Sequence, residues 1–264
     1  KVYWDDDGWP RVEGGHGGRT FVEGPKDAIY TESTKDNSQH DEFTTPALNL
    51  NWNTLRVPFS EKMGSTGNGK LTLIGQGSLA NTHDLSLIAR RWQAFYFNAE
   101  VKVVFNPFSY QQMAGLTNYY NDRHWSFAFI TWNEINGRVI EVAENNRGKY
   151  TSYLKDNAIK VPENVEYVWL RTKVRKQTYS YEYSFDGIAF IEIPVILDAA
   201  VLSDDYVLQS YGGFFTGAFV GLAAVDYSGY DVSAEFYHFD YQELGDSLIG
   251  DDVYSWEAGE LRAD

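Results

Sequence analysis

Between Thr178 and Ile193 the chain reads TYSYEYSFDGIAFIEI, and the strict alternation at its start restricts this segment to a β-strand. Tyr179, Tyr181, Tyr183 and Phe185 fall on one side, with Ser180, Glu182 and Ser184 on the other, a period of two that no helix sustains. Asp186-Gly187 offers the positive φ angles of a type I′ turn, so the stretch predicts a hairpin whose second strand returns at once.

The same rhythm recurs along the chain. It predicts strands over Lys70–Ile74, Leu85–Arg90, Tyr96–Phe105, Met113–Tyr120, Trp125–Asn133, Arg138–Ala143, Tyr167–Val174, Phe219–Val225 and Ala234–Tyr241. Turn signals separate them, among them Gly67-Asn68-Gly69, Asn106-Pro107, Asn136-Gly137 and Asn145 through Gly148. Many short strands without alternating helices predict an all-β sandwich or barrel. Leu197–Asp205 alone reads as a helical or irregular excursion. Residues 1–22 hold two strand-like pieces around Asp6-Asp7-Gly8, residues 23–40 read as a polar linker, and the acidic tail 245–264 lacks a strand pattern.

Composition excludes several functions. The 264 residues contain no cysteine, which removes disulfides, zinc–thiolate sites and cysteine nucleophiles. That absence favours a cytosolic setting and leaves secretion possible. With 22 basic and 37 acidic residues the formal charge is −15, a field that repels phosphate backbones and anionic lipids, so neither nucleic acid nor membrane is an expected partner. No apolar run reaches the roughly 18–20 residues of a membrane span, and KVYWDDDGWPRV lacks a signal-peptide layout. Aromatic residues make up 16% of the chain, as expected for pleated, half-buried surfaces.

Three stretches carry a family resemblance. Trp4-Asp5-Asp6-Asp7-Gly8-Trp9-Pro10-Arg11-Val12, followed by Gly14-Gly15, resembles the closing piece of the five-bladed propeller of family 43 glycoside hydrolases. Asp41-Glu42-Phe43 through Trp52 resembles the first strand of the concanavalin-like sandwich that follows that propeller. Gly212-Gly213-Phe214-Phe215-Thr216-Gly217-Ala218-Phe219-Val220-Gly221, continuing to Phe236–Tyr241, resembles its late loop and last strand. Ala89-Arg90-Arg91 and Gly115–Asn121 fit between them. The resemblance implies a two-sheet antiparallel jelly-roll over 41–244, preceded by a remnant of the propeller. It implies an upstream catalytic propeller as partner, acting by inversion on β-1,4-xylosides or arabinosides, with its carboxylates upstream of Lys1. No cofactor is required on this reading, and a homo-oligomer is compatible with it.

The resemblance also nominates residues. The sandwich would act as a lid that lends an aromatic ring to the sugar pocket, at Phe214 or Phe215. Flanking glycines let the backbone turn and present a ring, which stacks on a sugar face and excludes water. His16, in the GGHGG stretch, is a further substrate-side candidate. Asp41 and Asp240, on neighbouring first and last strands, are candidates for a structural calcium ion. The chain's own acids offer no catalytic signature: Asp5, Asp6 and Asp7 read as a turn, and no Glu is followed two positions later by Asp, as concanavalin-like glucanases require. The five histidines, His16, His40, His83, His124 and His238, are far apart and read as structural. Two rival readings use the same fold. One is a xylan-binding module with Trp125, Trp132, Tyr119 or Tyr120 as an exposed platform, and the other is a structural or oligomerisation domain.

Overall fold

The computed structural model describes residues 2–12, 37–209 and 215–244. The chain divides into two units, Lys1–Asp36 and Asn37–Asp264. In the first, β1 (Val2–Trp4) and β2 (Pro10–Val12) pair antiparallel around a turn closed by Asp5, whose Oδ1 accepts from the Asp7 and Trp9 amides. Every residue of both strands is exposed, including Trp4 at 72%, and Trp9 beside them stands at 67%.

The second unit is a sandwich. Its strands are β3 (Gln39–Asp41), β4 (Asn53–Thr54), β5 (Gly64–Gly67), β6 (Lys70–Ile74), β7 (Ser86–Arg91) and β8 (Tyr96–Val104). They continue with β9 (Gln112–Asn121), β10 (His124–Asn133), β11 (Gly137–Asn146), β12 (Lys149–Ser152), β13 (Ile159–Lys160) and β14 (Val168–Arg175). β15 (Thr178–Ser184) and β16 (Ile191–Asp198) follow, then a helical turn at Ala199–Leu202 and α1 (Asp204–Leu208), and finally β17 (Phe219–Asp226) and β18 (Ser233–Glu243). One sheet runs β12-β11-β10-β9-β17-β7-β4 with β13 beside β11; the other runs β16-β15-β14-β8-β18-β6-β5 with β3 beside β18. Both are antiparallel throughout, and the helical excursion falls where the sequence placed it.

The core lies between the sheets. Leu116, Ile130 and Leu222 from one layer meet Val101, Leu170, Phe236 and Phe239 from the other. A polar chain threads this apolar layer. Asn118 Nδ2 donates to Thr172 Oγ1 at 3.0 Å and Tyr181 Oη at 2.9 Å, while Asn118 Oδ1 accepts from Trp92 Nε1 at 3.2 Å. Ser126 Oγ bonds both Tyr181 and Tyr179, at 2.7 and 2.9 Å. Burial raises both phenols, Tyr179 and Tyr181, far above their usual pKa, so they remain neutral hydroxyls.

The Thr178 hairpin differs from expectation in its turn. β15 stops at Ser184 and β16 starts only at Ile191. Gly187 takes a positive φ of 75°, yet the loop is longer than two residues. Asp186 Oδ1 accepts from the Ile188 and Ala189 amides and Ser184 Oγ from that of Gly187, an Asx-type loop that side chains rather than strand pairing stabilise. Among residues assigned to a linker, Gln39 and His40 instead belong to β3.

The aromatic platform is likewise not formed. Trp125, Tyr119 and Tyr120 are buried. Trp125 and Tyr119 join Leu79, Leu85, Leu87, Phe127 and Phe129 in a second apolar cluster, on the β10 face opposite Ala128 and Ile130. Trp132, half-buried, lies against Gly137 at 3.4 Å from where a side chain there would start.

Candidate functional site

The segment entering β17 carries the clearest surface feature. Phe215 has φ 73° and Gly217 φ 74°, so the backbone turns twice through the left-handed region within three residues. Glycine adopts that region freely; phenylalanine does so at a cost, which the surroundings must meet. Four backbone groups of Thr216, Gly217 and Ala218 are bonded to neighbouring segments. Arg91 Nη1 donates to Thr216 O, the Thr216 amide to Tyr120 Oη at 3.4 Å, the Gly217 amide to Asp204 Oδ1 at 3.3 Å, and the Trp92 amide to Ala218 O at 2.9 Å. Tyr120 Oη itself donates to Asp204 Oδ1. Burial and that carboxylate raise the Tyr120 phenol, which keeps the donor protonated. Arg91 also lies over the Phe219 ring at 4.7 Å. The outcome is a pinned strap with Phe215 83% exposed at its tip.

Phe214 and His16 lie outside the described residues. Phe215 lies, as the late-loop assignment implied, in a bend before the strand begins at Phe219. The residues that fix it, Tyr120, Asp204 and Arg91, come from distant segments and carry no local signature.

Under the strap is a shallow cleft of about 180 Å³, lined by Asn53, Leu55, Leu87, Tyr119, Tyr120, Thr216 and Phe219 among others. It falls below the roughly 300–1,000 Å³ of sites that enclose a small molecule. The cleft is mostly apolar, and the buried Tyr119 hydroxyl in its wall makes no hydrogen bond among the described residues.

Asp41 and Asp240 are not brought together. Asp41 pairs with Phe239 and turns toward the core edge, where Oδ2 accepts from Trp52 Nε1 at 2.8 Å and Oδ1 from the Phe43 amide at 2.9 Å. Asp240 pairs with His40, on the other face of the sheet. A single ion between their carboxylates is therefore not the arrangement in this fold.

The buried acids among the described residues are committed to structure. Among buried carboxylates, Glu141 accepts from the Val142 and Leu154 amides, Glu144 from Tyr153 Oη, Glu182 from Arg171 and Lys173, and Asp226 from Ser228 and Val232. Displaced carboxyls move downward: Asp5 through the Trp9 amide and Arg11, Asp186 through its loop amides, and Glu235 through Lys70. Burial raises Asp226, but the bonds from Ser228 and Val232 outweigh it. Glycosidic cleavage needs the reverse, a carboxyl raised enough to hold its proton near neutrality.

The family model of the β-xylosidase C-terminal concanavalin A-like domain matches residues 40–242. A putative β-xylosidase of Escherichia coli (strain K12) is 42% identical over 246 residues, covering 92% of this chain and 45% of that protein. A β-xylosidase of Bacillus subtilis (strain 168) is 40% identical over 251 residues, with 92% and 45% covered. Among solved structures, xylan β-1,4-xylosidase from Bacillus halodurans C-125 superposes with a TM-score of 0.76 at 31% identity, over 92% of this chain and 46% of that one. The chain thus spans about half the length of the curated relatives it matches.

Proposed function

Because the chain belongs to the C-terminal concanavalin-like domain family of family 43 β-xylosidases, we propose that it completes the sugar pocket of an upstream catalytic propeller acting on β-1,4-xylosides or arabinosides. The pinned strap carries this reading: Phe215 is held outward at a backbone cost that a merely surface-filling residue would not need. A ring so presented stacks on the apolar face of a sugar and keeps water from the reacting bond. The cleft beneath it holds about 180 Å³, and the larger one lined by Trp92, Asp204 and Gly217 among others is open to solvent, so enclosing a sugar takes a second wall, which the propeller would supply. The fully exposed β1–β2 hairpin, with Trp4 and Trp9 uncovered, fits the edge of a blade whose neighbours lie in the rest of the enzyme. Phe214 and His16 keep their assignment to the sugar side on the resemblance alone. A structural calcium at Asp41 or Asp240 would have to use them separately, with other oxygens completing each shell.

On this reading the chain alone neither cleaves nor retains the substrate. Calorimetric titration with xylo-oligosaccharides tests it: absent or millimolar affinity is expected, and saturable micromolar binding by the isolated chain would favour an autonomous binding module instead.

A further inference from the structure

On the outer face of the sheet, three side chains converge where β3 meets β18. His40 Nε2 and His238 Nδ1 lie 2.9 and 2.8 Å from the same oxygen, Glu42 Oε1. All three ligand-type atoms fall within 4.8 Å of one another. The fold places them by register. His40 stands opposite Asp240 in the β3–β18 ladder, and the β18 ladder with β8 shifts between Phe236 and His238. That bulge turns both Tyr237 and His238 outward while Phe236 and Phe239 stay in the core. Without the shift, strict alternation from Phe236 would send His238 inward.

The second nitrogen of each ring also faces a carboxylate. His40 Nδ1 is 3.6 Å from Asp240 Oδ1, and His238 Nε2 is 3.8 Å from Glu100 Oε1. Trp169 packs against the His238 ring with centroids 5.2 Å apart, and the two imidazoles meet edge to face at 4.7 Å. Glu100 is in turn held by Arg171. Two imidazoles and one carboxylate pointing at one spot, each imidazole backed by a second carboxylate, is the layout of a zinc-type centre with its outer support.

We propose that His40, Glu42 and His238 form a binding site for a borderline divalent cation, zinc above all, with water completing the shell. Hard cations fit poorly, since calcium and magnesium take oxygen ligands and the site offers two nitrogens. Ligand bonds of about 2.0–2.1 Å in a tetrahedron set donor atoms about 3.4 Å apart. The shared oxygen therefore has to back away by a few tenths of an ångström from each nitrogen. Glu42, whose side chain is 49% exposed, has the freedom to do so. Three carboxylates surround the two rings against the Arg171 guanidinium and Lys102, which stands opposite His238 in the β18–β8 ladder, so these side chains leave an excess of negative charge that suits a dication. The cation would clamp the β3 segment, which opens the sandwich, onto its last strand.

The test is calorimetric titration of the full, chelator-treated chain with zinc chloride. One zinc per chain is expected, with calcium and magnesium showing no competition. H238Q and H40Q should each weaken binding at least tenfold, and D240N about tenfold through the outer support. His40 and Asp240 are well exposed and His238 lies on the outer face of the sheet rather than in the core, so these near-isosteric variants should keep the wild-type circular dichroism spectrum. Zinc at one equivalent should also raise the wild-type melting temperature and leave that of the H40Q/H238Q double variant unmoved. No stoichiometric zinc binding, or undiminished binding in a folded double variant, would overturn the proposal.

Discussion

Asn118→Ala removes the hub of the polar chain inside the sandwich. Asn118 is fully buried and makes three hydrogen bonds, to Thr172, Tyr181 and Trp92. Thr172 keeps its bond to Ser180 O and Tyr181 keeps Ser126, but the Trp92 indole N–H loses the one acceptor that Asn118 supplied. A lost bond contributes about 1 kcal/mol, and the partly buried Trp92 donor left without its acceptor adds about 1 kcal/mol, the low end for an orphaned group. Together with the small void left by the amide, the variant should be destabilised by about 3–4 kcal/mol. At about 2–4 °C per kcal/mol for a chain approaching this size, the melting temperature should fall by about 6–16 °C. Tyr181→Phe is the milder cut, because Asn118 and Ser126 both keep other partners; about 1–2 kcal/mol is expected. Urea unfolding followed by tryptophan fluorescence measures both. A cost for Asn118→Ala within 0.5 kcal/mol of wild type, or a larger cost for Tyr181→Phe, would refute the idea that this network is satisfied and mutually dependent.

Further outcomes follow from other sites. Phe215→Ala should leave the melting temperature of the domain nearly unchanged while lowering kcat/KM of the longer enzyme at least tenfold, since the ring is 83% exposed in the domain and, on the proposed function, stacks on the sugar. Gly221→Ala should unfold or severely destabilise the chain, because a Cβ there would sit 2.3 Å from Ile88 O and 2.5 Å from the Ala89 Cβ, with backbone on one side and a buried side chain on the other. Asp226 has a depressed carboxyl pKa in the fold, so its contribution is complete above the unfolded value near 4 and is lost as pH falls through the lower folded value. Asp226→Asn should therefore flatten the acid limb of the stability profile, which pH-dependent urea midpoints would show.

The fold was legible where one strand's pattern decides the matter. β6, β8, β14 and most of β18 alternate in burial residue by residue, as a half-buried pleated surface demands, whereas β7, β9, β10 and β17 are buried on both faces and show themselves by their apolar content between turn signals. What escaped depends on pairing between distant segments. β5 (Gly64–Gly67) has no apolar rhythm and becomes a strand through its ladder with β6. Tyr119 and Trp125 have the composition of a binding platform, yet Leu79 and Leu85 from a remote loop help bury them. The Asp186-Gly187 signal predicted a tight turn, but Ser184 and Asp186 side chains stabilise a longer loop more effectively than two residues would. Site residues divide in the same way. GGFFTG marked the strap, whereas Tyr120 and Asp204, which pin it, are unremarkable in sequence. Isolated histidines read as structural are sensible one at a time; only the β3–β18 register and a bulge bring His40 and His238 to one carboxylate.

The central claim, that this domain shapes a catalytic pocket without containing the catalytic acids, is tested most directly by assaying the chain alone with an aryl β-xyloside at high protein concentration. The account predicts no turnover above buffer. Sustained hydrolysis that co-purifies with the folded chain, and that disappears on substitution of an acid within residues 37–244, would contradict it.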